Sequence, residues 1–229
     1  LSIIGKMIHS HFTDCRFGGT GRGVKISTDF VQTYGTGSDR PQGMTFNSCH
    51  WMCTGSWNIY GLSSLFITFQ GCWIVEATTN NVLLDGEAGN YLFSACYFGG
   101  NNAITNVLIQ SGAGNGHTFT GCNFNYGNKG IHVVATSSEQ VDGLIVQGCF
   151  FSLGLADGTN PSTSLQLDSV SNCVITDNID RQAPTQGSWV TQSTHSSIKG
   201  DYRFDNNAWH TVTPATFSTA AAYYWGSDT

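Results

Sequence analysis

Of the 15 Asp and Glu side chains in the sequence, four gather in its C-terminal third as a candidate catalytic group: Asp157, Asp177, Asp180 and Asp205. Paired carboxylates are what glycoside hydrolysis requires, ~5–5.5 Å apart for retention or ~6.5–9.5 Å apart for inversion. Asp177 and Asp205 each stand four residues past a marked position of a repeating frame, at Cys173 and Asp201, which predicts them on neighbouring coils. Asp180 lies three residues beyond Asp177 in a long loop, and Asp157 comes from the preceding long loop, where it can fold over the same edge. The plain alternative for each is a turn carboxylate accepting backbone N–H bonds. A second set, Asp85, Glu87, Glu139, Asp142 and Asp168, falls at the other loop edge. Asp85 and Asp168 belong to coils three apart, ~14 Å at the usual strand spacing, which is too far for an acid–base pair. Glu87 and Asp142 are the alternative carboxylates, in particular for a site between subunits.

Other chemistries find less support. The histidines show no metal-ligand spacing such as H-E-x-x-H, no G-x-S-x-G elbow marks a nucleophilic serine, and no cofactor motif is present. The Gly-rich stretch from Gly112 to Gly116 leads from strand to strand, without the helix that phosphate loops need. With 9 Lys plus Arg and a formal net charge of −6, the chain lacks the basic surface that nucleic acid demands. No apolar run approaches the ~20 residues of a membrane span. The start, Leu1-Ser2-Ile3-Ile4, reads as that of an excised or processed piece.

The elements that must position these groups are written in the cysteines. Seven of the 8 Cys share a frame, apolar-x-x-Cys-x-bulky. It runs through Phe12/Cys15, Phe46/Cys49, Phe69/Cys72, Phe93/Cys96, Phe119/Cys122, Val146/Cys149 and Val170/Cys173, with an eighth copy at Ile198 that replaces Cys by Asp201. One supersecondary unit thus recurs about every 25 residues. The residue before each Cys is small or turn-forming, and a further apolar strand follows about ten residues downstream, as in Val82-Leu83-Leu84 and Val107-Leu108-Ile109. Three short strands per repeat predict an all-β, single-stranded, right-handed parallel β-helix of about eight coils over residues 1–205, with residues 206–229 a connector or the start of a further domain. The leucine-rich repeat is the rival, but the leading Leu of its consensus and any helical stripe are missing. Side chains stacked in register point the same way, poor geometry for a disulfide, so the cysteines are expected to be free and buried, which suits a reducing cytosol. The residue after each Cys faces outward, and Trp73, Tyr97 and Phe150 there form an exposed strip that can stack on sugars or pack against a sister subunit.

In this repeat pattern and composition the chain resembles the pectin-lyase-like β-helix group, and within it the bacteriophage tailspikes and tail appendages. The resemblance covers residues 1–205 and carries no signature motif, so no site residue transfers from it. It implies a homotrimer on a virion tail, made in the bacterial cytoplasm, that binds a capsule or O-antigen polysaccharide and depolymerises it, by hydrolysis rather than elimination. Trp73 and Tyr97 are then the expected substrate-binding residues. A non-catalytic structural or receptor-binding appendage built on the same rod is the alternative.

Overall fold

The computed structural model describes residues 2–4, 8–21, 23–27, 40–100, 104–110, 112–134, 141–153, 162–168, 170–180, 187–191, 203–205 and 207–209. It is a parallel β-solenoid, and among the described residues there is no helix. Three sheets of eight strands each wrap the axis, and the regular part of the stack amounts to about 5 turns. The first sheet includes Trp57–Leu62, Asn80–Asp85, Thr105–Gln110, Lys129–Val134 and Ser162–Asp168. The second includes Thr45–Asn47, Thr68–Gln70, Leu92–Ser94, Thr118–Thr120, Ile145–Gln147 and Val174–Thr176. The third includes His50–Cys53, Trp73–Val75, Tyr97–Gly99, Asn123–Asn125, Phe150–Ser152 and Ile179–Asp180, and ends at Ala208–Trp209.

Alternation along each strand fills the interior. In the second sheet Phe12, Phe46, Phe69, Phe93 and Phe119 stack ring on ring, with centroids 4.7, 4.9, 4.8 and 5.0 Å apart. The first sheet sends in Ile59, Val82, Val107, Ile131 and Leu165, all fully buried, and the third sends in Trp51, Ile74, Phe98, Phe124 and Phe151. This continuous core is what makes each coil stable only against its neighbours.

All eight cysteines carry free thiols. From Cys49 to Cys149 each thiol of the ladder donates to the carbonyl of the Phe three residues before the preceding ladder cysteine: Cys72 to Phe46 at 3.3 Å, Cys96 to Phe69 at 3.3 Å, Cys122 to Phe93 at 3.3 Å. Burial and thiol–thiol contacts hold the thiols of Cys49, Cys72, Cys96 and Cys122 well above the ordinary range, with Cys49 pushed up to about 11, chiefly by burial.

The ladder corrects the sequence frame in its last two copies. Val146 pairs with Ile175, not Val170, and Phe150 pairs with Ile179. Asn178, rather than Cys173, therefore occupies the thiol column of that coil. Its Nδ2 donates to the Val146 carbonyl at 3.0 Å, as a thiol would, and its Oδ1 accepts the Cys149 backbone N–H at 2.8 Å. Asn207 repeats the arrangement on the Ile175 carbonyl at 2.9 Å. Cys173 belongs five residues earlier in the coil, beneath Leu144, whose carbonyl accepts the Val174 N–H at 2.9 Å. The eighth copy of the frame, Ile198 to Asp201, lies outside the described residues.

Candidate functional site

The third sheet carries a cleft of about 450 Å³ on its outer face. Its floor is the ladder of outward side chains set by the pairing His50–Trp73–Tyr97. Trp73 and Tyr97 lie 4.5 Å apart between ring centroids, tilted by 35°, and His50 follows at 6.3 Å. Trp73 is 46% exposed, a large apolar surface left to water. Tyr97 is fixed by a hydrogen bond from Asn125 Nδ2 to its hydroxyl at 2.9 Å. Met52, 57% exposed, closes one end of the cleft.

The rim is the corner after the third sheet, where Glu76, Gly100 and Tyr126 succeed one another. All three are left-handed, with φ of 71°, 115° and 59°. Gly is at ease there, but Glu and Tyr pay a conformational cost, and strain of this kind collects at sites of function. A Cβ on Gly100 would come within 2.7 Å of the Glu76 backbone N and 2.9 Å of its Oε1. The absent side chain thus leaves room for the Glu76 carboxylate over the cleft. Among the described residues, Glu76 is the only carboxylate lining it, and no Lys or Arg does.

The candidate acids are distributed differently. Asp177 is exposed at the left-handed corner ahead of the thiol column, in line with Asp14, Ser48, Gly71, Ala95, Gly121 and Gly148, all with φ between 51 and 61°. Its Oδ2 accepts a bond from Gln147 Nε2 at 3.4 Å. Asp180, only three residues on, is 4% exposed and turned into the core opposite Phe151, where Ser164 Oγ donates to its Oδ2 at 3.1 Å. Asp177 and Asp180 are thus on opposite sides of the coil wall. Asp205 ends a strand of the second sheet opposite Thr176, one residue off the column expected for it. Asp157 lies outside the described residues, as does Glu139. Of the alternatives, Glu87 is ion-paired with Arg40, and Asp142 Oδ1 accepts bonds from Ser171 Oγ and Asn172 Nδ2, both at 2.6 Å.

A second polar cluster decorates the outer first sheet. Lys129 Nζ meets His132 Nδ1 at 3.2 Å, and His132 Nε2 meets Asp168 Oδ2 at 3.4 Å, which Gln166 Nε2 also reaches at 3.1 Å. Burial first, and Lys129 next, lower the His132 pKa, while Asp168 raises it. The members of this chain of contacts satisfy one another. Among the described residues no group of three His, Cys, Asp or Glu side chains could hold a metal ion.

Sequence reasoning named Trp73 and Tyr97, and the structure sets them side by side in the cleft. It did not single out Glu76, Gly100 and Tyr126, which form the rim. The legible signal was their fixed offset of three residues from Trp73, Tyr97 and Asn123, which puts a bulky outward side chain and a corner residue on the same edge of every coil. No protein-family model matches the chain, and no curated protein matches it.

Proposed function

We propose that this chain is a receptor-binding β-helix rod of the tailspike type, whose cleft on the third sheet holds a segment of a bacterial surface polysaccharide. The observation that carries this reading is the exposed Trp73–Tyr97 pair in a walled cleft, because rigid aromatic faces stack on the apolar faces of sugars and cost little side-chain entropy to order. The outward ladder repeats at ~4.8 Å, commensurate with successive rings of an extended glycan laid along the axis. Binding without cleavage is favoured over depolymerisation because hydrolysis requires two carboxylates and the cleft is lined by one.

Titration calorimetry of capsule or O-antigen fragments against the protein and its Trp73→Ala variant tests the reading. Saturable binding that falls at least tenfold in the variant, with the glycan recovered intact, supports it. Binding unchanged in Trp73→Ala, or no binding by any surface glycan, overturns it. New reducing ends released by the protein would restore the depolymerase reading and point to a second carboxylate, with Glu87 and Asp142 the first to test across a subunit boundary.

A further inference from the structure

The structure assigns the cleft on the third sheet a preference for a cationic ammonium group carried on the glycan; this inference rests on the polysaccharide reading above and names the class of sugar it would take. Three aromatic rings, those of Trp73, Tyr97 and Tyr126, line one small cleft together with a single carboxylate, Glu76. Ring faces carry negative quadrupole charge and attract a cation within about 6 Å of the centroid, and a carboxylate at the rim completes the complement. A neutral sugar could donate its hydroxyls to Glu76, but only a cationic one gains charge attraction from the carboxylate as well as from the rings. A uronate would be repelled by it, and by a chain of net charge −6.

Two features tie Glu76 to the cleft rather than to the fold. No cation among the described residues is paired with its carboxylate, in contrast to Glu87 with Arg40. Its backbone is also held at φ 71°, in a column where the next coil uses Gly100. Tyr126 shares the strained column and is 41% exposed, so the two side chains that flank Gly100 are the two that give the rim its charge and its third ring.

The source of the ammonium is either an amino sugar or a quaternary choline-type substituent, and the probes separate the two. Oligomers of glucosamine, of N-acetylglucosamine and of galacturonate, matched in length, are titrated into the protein by calorimetry, with choline chloride and free glucosamine as competitors. Controls are Glu76→Gln, Trp73→Ala and, as a distant exposed carboxylate, Asp177→Asn. The expected result is that glucosamine oligomers bind at least tenfold more tightly than their acetylated counterparts and that Glu76→Gln reduces this ratio to about twofold. Asp177→Asn should leave the ratio unchanged. Stronger competition by choline assigns a quaternary head, and stronger competition by glucosamine a primary amine. Equal affinity for charged and acetylated oligomers, or an equal effect of Asp177→Asn, overturns the ammonium inference. If Trp73→Ala still abolishes binding in that case, the polysaccharide reading stands without charge selection. If no oligomer or surface glycan binds at all, it is the polysaccharide reading that fails.

Discussion

Asn178 holds two buried backbone groups at once, the Val146 carbonyl and the Cys149 N–H, where the earlier coils place a thiol on the carbonyl alone. Asn178→Ala leaves both unmet in the interior and should cost about 2–3 kcal/mol, while Asn178→Cys, which recovers the carbonyl bond, should cost less. Urea denaturation of the two variants checks the order. His117 is the opposite case, fully buried under Tyr91 with neither ring nitrogen in good hydrogen-bond geometry to any described residue. Burial draws its pKa down to about 4, against a smaller upward pull from the Gly114 backbone. Because the folded value lies below the unfolded one of about 6.5, the neutral ring's contribution is complete above pH 6.5 and is lost as pH falls toward 4. The loss should reach about 3 kcal/mol. Acid unfolding followed by circular dichroism should show this arm, and His117→Leu, which copies Leu144 of the next coil, should remove it.

At the level of the strands and corners, two substitutions at backbone-determined positions should move stability in opposite directions. Gly61 interrupts the inward column of the first sheet, and a Cβ there would run into the Tyr91 hydroxyl that shares a buried hydrogen bond with Ser64. Gly61→Ala should destabilise by about 2 kcal/mol or more through overpacking. Ala95 sits at φ 51° in a corner where other coils use Gly, so Ala95→Gly should stabilise by up to about 1 kcal/mol; thermal unfolding of both variants is the measurement. The same corners explain how far the fold was legible. The apolar-x-x-Cys frame, with Phe in every copy but Val146, repeats wherever a thiol is in the column, so the strands from Cys15 to Cys149 could be aligned by inspection. At Asn178 the column changes chemistry while keeping its hydrogen bond, and the nearby Val170-Ser171-Asn172-Cys173 imitates the frame from a different corner, itself left-handed at Asn172 with φ 48°. That slip of register carried the acidic group with it: Asp180, read as a loop residue, stands where earlier coils place Phe. The cleft was half legible, since its rings are a periodic signal and its rim is a matter of backbone strain that a list of residue types does not display.

For the whole molecule, the tailspike-type rod we propose carries with it a homotrimer of parallel rods, for which a three-fold rotation closes a heterologous contact. The exposed aromatic strip cannot serve both a sister subunit and a glycan. Sedimentation of the full-length protein and of Trp73→Ala separates these uses: an intact trimer that no longer binds glycan assigns the strip to the ligand, and dissociation assigns it to the interface. A stable monomer or dimer of the wild type at micromolar concentration would refute the trimer.

Because every coil from Cys15 to Cys149 carries a ladder thiol of its own, with Cys53 a second thiol in the coil of Cys49, the rod is an inscribed ruler. Solenoids open by unzipping coil from coil rather than all at once, and alkylation captures only a thiol whose coil has opened. Pulsed alkylation read by mass spectrometry should therefore return a sequence of events along the axis. Cys15, already partly exposed, should be labelled first, and Cys96 and Cys122, each about 1% exposed between complete neighbours, last. A single shared labelling rate for all rungs would mean that the stack melts as one body. A gradient would date the opening of each coil without any engineered probe.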